Sequence, residues 1–130
     1  MVYIDTNIAL EVLLEERVSQ QAVIAYLSGQ DKVYMSMLTV HHVWHFGRKV
    51  GIADSVLADF VDAAGLIPLL PEDYVWARKH EAGRDFEDAL QVAVALRAGV
   101  SVFVTLDQVL VRAYDGKVGF AFLNPAALNS

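Results

Sequence analysis

Residues 85–107 read Asp85-Phe-Glu-Asp-Ala-Leu-Gln-Val-Ala-Val-Ala-Leu-Arg-Ala-Gly-Val-Ser-Val-Phe-Val-Thr-Leu-Asp107, and this stretch decides the architecture. An acidic residue at the start, a run of Ala, Leu and Val, and Gly99 just past the end predict a helix from Asp85 to Ala98. Val100 to Val104 is a short, largely apolar run and reads as a buried strand. Thr105-Leu106-Asp107 then turns the chain into a short helix near Gln108 to Arg112. An apolar strand between helices is covered on both faces, which calls for a parallel sheet.

The pattern repeats outward from this unit. Val2 to Ile4 is a strand ended by Asp5-Thr6-Asn7, and Ile8, Leu10, Val12, Leu13 and Leu14 then mark a helix reaching about Glu15. A helix over Ser19 to Leu27 closes at Ser28-Gly29 and leads to a strand at Val33 to Met35. Leu38 to Val50 is helical up to Gly51, and Ala53 to Ala64 continues until Gly65. The run Leu66 to Leu70 contains Pro68, which has no N–H to donate and so predicts an edge strand. Pro71-Glu72-Asp73 opens a helix to about Glu81, and Phe120 to Leu123 is the last strand. The expectation is an α/β fold, a three-layer α/β/α sandwich around a central, mainly parallel sheet, with residues 1–130 as a single domain. In such folds the loops at the carboxyl ends of the strands gather at one rim, so Asp5 and Asp107 are expected neighbours.

Composition narrows the chemistry. A 130-residue chain, 55% hydrophobic, is far too apolar to stay disordered. Zero cysteines exclude disulfides, iron–sulfur clusters, cysteine nucleophiles and cysteine-bearing zinc sites, and they fit a reducing compartment. Apolar runs are cut by Arg97, Gly99 and Thr105 well short of a membrane span, and Met1-Val-Tyr-Ile-Asp5 lacks a basic start, so a cytoplasmic location is expected. The net charge of −6 has the wrong sign for bulk attraction to nucleic acid. A nucleic-acid enzyme of this charge needs its acids placed where a divalent cation neutralises them.

That placement is the main chemical clue. Asp5, Asp107 and the pair Asp85/Asp88 all sit at expected helix N-termini, where a carboxylate caps orphan N–H groups. Capping explains each singly. If they converge, two carboxylates 4 Å apart repel by roughly 4 kcal/mol at an effective dielectric near 20, more than a cap returns. Converging carboxylates therefore require a cation or bound protons, and Mg²⁺ or Mn²⁺ suits an all-oxygen donor set.

The segments Val2-Tyr-Ile-Asp-Thr-Asn7, Leu38-Thr-Val-His-His-Val-Trp-His-Phe-Gly-Arg-Lys49, Asp85-Phe-Glu-Asp-Ala-Leu-Gln91 and Val102-Phe-Val-Thr-Leu-Asp107 occur in the order and approximate spacing of a PIN domain. The chain especially resembles the bacterial toxin-type ribonuclease subgroup with an Asp-Phe-Glu-Asp-Ala-Leu-Gln segment. The resemblance spans nearly the whole chain, including Asn124-Pro125. It implies a metal-dependent ribonuclease, commonly the toxin of a toxin–antitoxin pair, that forms a homodimer and is plugged by a cognate antitoxin protein. On this resemblance Asp5, Asp88 and Asp107 are the metal-binding catalytic acids, with Asp85 a further metal ligand and Glu87 a nearby supporting acid. Thr6, Asn7 and Thr105 match supporting polar positions, although turn chemistry explains Thr6 and Asn7 equally well. Many PIN domains carry a glutamate where this chain has His42, so the metal shell is expected to be thinner.

The remaining polar residues leave alternatives open. His41 and His45 lie four apart on one helical face, a zinc-compatible spacing, but no third ligand or His-Glu-x-x-His pattern accompanies them. His42, Arg48 and Lys49 are candidate substrate contacts; Arg48 and Lys49 also suit the negative end of their helix. Arg84, Arg97, Arg112 and Lys117 cannot be assigned to one face. Tyr3, Tyr34, Trp44 and Phe46 read as core or interface aromatics rather than a base-stacking platform. The expected activity is hydrolysis of RNA phosphodiester bonds. Two rivals are an inactive PIN-like binding or scaffold protein and a phosphoacceptor or phosphatase of another α/β family using Asp5 as nucleophile.

Overall fold

The computed structural model describes residues 1–81 and 83–129. In chain order the elements are β1 (Val2–Ile4), α1 (Thr6–Leu13), α2 (Gln20–Ser28), β2 (Val33–Ser36), α3 (Met37–Lys49), α4 (Asp54–Asp62), β3 (Gly65–Ile67), α5 (Pro71–His80), α6 (Phe86–Ala98), β4 (Val102–Val104), α7 (Gln108–Tyr114) and β5 (Ala121–Leu123), followed by a 3₁₀ turn, Pro125–Asn129. The five strands form one sheet in the order β3-β2-β1-β4-β5, and every pairing is parallel. The α/β/α expectation therefore holds.

The sheet separates two cores because alternate strand residues face opposite sides. Tyr3 and Phe103 pack with Ala77 of α5, Val92 and Ala95 of α6 and Leu110 of α7. Their chain neighbours Ile4 and Val104 pack instead with Ile8 of α1, Val23 of α2, Val43 of α3 and Leu57 of α4. Gly99 adopts φ 71° and terminates α6 in the left-handed conformation expected of a helix-ending glycine.

Several boundaries differ from expectation for local reasons. β3 occupies the sheet edge, as Pro68 suggested, but it runs Gly65–Ile67 rather than 66–70. Pro68 ends the strand instead of lying within it, consistent with its missing donor. α3 begins one residue early, at Met37, because the Ser36 hydroxyl accepts from the Thr39 N–H at 3.2 Å. β4 and β5 are each shorter than the apolar runs around them.

Gly47 sets the approach of α3 to α4. A Cβ there would lie 2.5 Å from Leu57 Cδ2, and Leu57 is fully buried. Gly47→Val is expected to destabilise the chain by about 2 kcal/mol through overpacking, despite valine's better helix propensity. A urea midpoint equal to that of the wild type would contradict this account.

Candidate active site

The strand order makes the site's position intelligible. The chain lays β1, β2 and β3 outward in one direction, then returns to add β4 on the other side of β1. Ile4 pairs with Val104, so the loops leaving β1 and β4 diverge from one point at the carboxyl edge of the sheet. This is the crevice in which α/β sheets commonly bind ligands.

Asp5 and Asp107 occupy that crevice. Asp5 caps α1, with Oδ1 accepting from the Ile8 N–H at 3.1 Å and Oδ2 from the Thr105 hydroxyl at 2.5 Å. Thr105 is fully buried, and its oxygen accepts from the Asp107 N–H at 3.0 Å, tying the two strand ends together. Asp107 caps α7 by accepting from Val109 and Leu110 N–H groups at 2.9 and 3.1 Å. Asp85 caps α6 by accepting from the Asp88 N–H at 3.1 Å. Capping and convergence are thus compatible: the caps fix the carboxylates around one cavity of about 330 Å³, lined also by Thr6, Asn7, His42, Phe46, Glu87, Asp88 and Gln91.

The lining contains five carboxylates and, among the described residues, no Lys or Arg. Burial and the neighbouring Asp107 push Asp5 up to about 6, against the lowering effect of its hydrogen bonds. Asp88 is pushed up to about 7 by partial burial and then by Asp85, Asp107, Asp5 and Glu87. Such mutual repulsion, with oxygen donors throughout, fits a hard divalent cation. Among the described residues no three Asp, Glu or His side chains are already drawn together closely enough to enclose an ion.

Beneath the carboxylates lies a polar network that sequence reading missed. Gln91 is 2% exposed, and its Nε2 donates to Thr39 Oγ1 at 2.9 Å and Thr6 Oγ1 at 3.2 Å. Its Oε1 accepts from Ser36 Oγ at 3.3 Å and from the Tyr3 hydroxyl. Thr6 Oγ1 also lies 3.3 Å from His42 Nδ1, which pairs with Glu87 Oε1 at 3.1 Å. The available signal was Gln91 itself, a lone amide in the otherwise apolar run from Ala89 to Leu96.

The remaining candidates divide between the cavity and the surface away from it. Asn7 lines the cavity, whereas Arg48 and Lys49 do not. Arg48 makes a two-point pair with Asp54 at 3.0 and 2.9 Å and sits 5.0 Å from the Trp44 ring. Arg97 is committed to Asp73. Tyr3 belongs to one core and Tyr34 packs against it, Trp44 packs against the other, and Phe46 is 39% exposed and lines the cavity, so it is not a core residue.

Several solved structures share this fold. A toxin–antitoxin complex from Klebsiella pneumoniae is similar with a TM-score of 0.76 at 14% identity, covering 96% of this chain and 98% of that one. The sarcin-ricin-loop-cleaving toxin VapC20 of Mycobacterium tuberculosis gives 0.73 at 11% identity, covering 87% and 95%. FitAcB from Neisseria gonorrhoeae gives 0.64 at 21% identity, covering 96% and 98%. No curated protein sequence matches. The PIN-domain family model matches residues 2–116, a span that contains both strand ends and every acid of the cavity, and the chain belongs to the PIN-domain family.

Proposed function

We propose that this chain is a divalent-metal-dependent endoribonuclease, acting in the cytoplasm as the toxin of a type II toxin–antitoxin pair. The observation carrying this reading is the gathering of Asp5, Asp85, Glu87, Asp88 and Asp107 around one cavity without a compensating cation. Asp5, Asp88 and Asp107 are the catalytic and metal-binding acids, with Asp85 as a further ligand. When bound, Mg²⁺ or Mn²⁺ supplies Lewis-acid stabilisation of charge at the phosphodiester and a lowered pKa for the attacking water.

The protein's own groups prepare that chemistry. Thr105 and the Ile8 N–H hold both oxygens of Asp5, so its orientation is set before substrate arrives. Glu87 and Thr6 engage His42 through Nδ1, which leaves Nε2 as the ring nitrogen available to an RNA phosphate. Asn7 adds an amide to the cavity wall.

A cognate antitoxin and a homodimer complete the reading. The similarity to structures described as toxin–antitoxin complexes supports the antitoxin. So does an apolar surface depression lined by Val12, Ile24, Leu27, Val33 and Phe60, suited to a helical partner segment. Among the described residues no helix is long and apolar enough to cross a membrane.

The purified chain is expected to cleave RNA with Mg²⁺ or Mn²⁺, to lose cleavage in EDTA and to recover it on metal readdition. Cleavage indifferent to EDTA would defeat the mechanism. His42, a neutral-capable ring on the cavity wall in place of a further carboxylate, favours one second reading, a PIN-like scaffold. Calorimetric titration separates the two: absence of Mg²⁺ and Mn²⁺ binding selects the scaffold. Arrested growth on induced expression, relieved by a neighbouring small protein, tests the toxin role, and light scattering tests the dimer.

A further inference from the structure

The rings of α3 form a path leading out of the acidic cavity. His42 and Phe46 line the cavity, with ring centroids 6.0 Å apart. Phe46 meets His45 edge-on at 5.1 Å, and His45 stacks nearly parallel to His41 at 6.0 Å and 20°. His41 and His45 are exposed, and with Trp44 and Arg48 they line a second concavity of about 300 Å³.

Electrostatics is a poor explanation for binding along this path. The chain carries a net charge of −6, and Asp54 offsets the Arg48 guanidinium. What the path offers instead is a succession of exposed rings beginning at the cavity wall. Unpaired nucleobases have the π-faces to stack on them, whereas bases within a duplex have those faces already covered.

We propose that Phe46, His45 and His41 form a stacking path for unpaired bases of a single-stranded RNA segment entering the acidic cavity. This rests on the nuclease reading and deepens it by naming the rings that would hold the substrate's bases. Phe46 is the anchoring ring because, unlike His45 and His41, it also lines the cavity.

The test uses a short single-stranded RNA carrying 2-aminopurine at successive positions, with Mg²⁺ present and cleavage followed in parallel. Stacking should quench the probe at one or more positions, and the same RNA annealed to its complement should show no such quenching. Phe46→Ala should weaken binding roughly tenfold or more, whereas Phe46→Trp should retain it. Unchanged affinity in Phe46→Ala, or equal losses in both variants, overturns the proposal. Cleavage without quenching removes the stacking path and leaves the nuclease reading; quenching without cleavage does the reverse. Neither signal from wild type removes both.

Discussion

Asp5→Asn is expected to cleave RNA at least about a hundredfold more slowly than wild type, the scale on which a fixed electrostatic contribution to phosphoryl chemistry is lost. The same variant should melt at a higher temperature than wild type in EDTA. Burial raises Asp5 from its ordinary 3.8 to about 6, so the native state binds this proton more tightly than the unfolded chain does. The native state's relative stability therefore falls as pH rises from about 4 to about 6, by roughly 3 kcal/mol in total. Asp88, raised to about 7 but only half-buried, extends a weaker decline to about pH 7. Asn at position 5 carries no charge cost, although its single oxygen accepts from the Ile8 N–H or from the Thr105 hydroxyl and not from both, so the gain is smaller than the full charge cost. Differential scanning at about pH 7.5 should show the gain in EDTA, and Mg²⁺ or Mn²⁺ should stabilise wild type more than the variant. Wild-type cleavage by Asp5→Asn would remove this carboxylate from the mechanism.

The parts legible in the sequence follow from local rules. Gly99 after an apolar helix and the short apolar run beyond it described α6 and β4 with small boundary errors. Asp5 and Asp107 were legible as neighbours because both follow parallel strands, and the order β3-β2-β1-β4-β5 puts those strands side by side. The buried amide network was not read, because Gln91 acquires its partners from β1, β2, α1 and α3, up to 88 residues away in sequence. Arg48 and Phe46 show the same limit in opposite directions. The helix pattern of α3 could not reveal that Asp54 engages the cation or that the phenyl ring reaches the cavity.

Arg97→Met is expected to cost about 3 to 5 kcal/mol of stability while sparing catalysis at temperatures where the variant remains folded. Asp73 is 1% exposed and accepts from Arg97 Nε at 2.9 Å and a terminal guanidinium nitrogen at 3.0 Å. The Leu70 N–H donates to the same carboxylate at 2.8 Å, and Arg97 also donates to the Pro68 carbonyl at 2.5 Å. One guanidinium thus fastens α6 to the start of α5 and to the segment after β3. Methionine preserves much of the aliphatic volume but leaves a buried anion with a single neutral donor. The melting temperature should fall by roughly 10 °C or more. Adding Asp73→Asn should recover part of the loss by removing the unpaired charge, an outcome that simple loss of packing would not produce. Asp88 and Arg97 are nine residues apart on the same helix, roughly 13 Å along its axis, so the change should leave kcat and KM near wild type. A stability change below about 1 kcal/mol would mean that water satisfies Asp73 without the arginine.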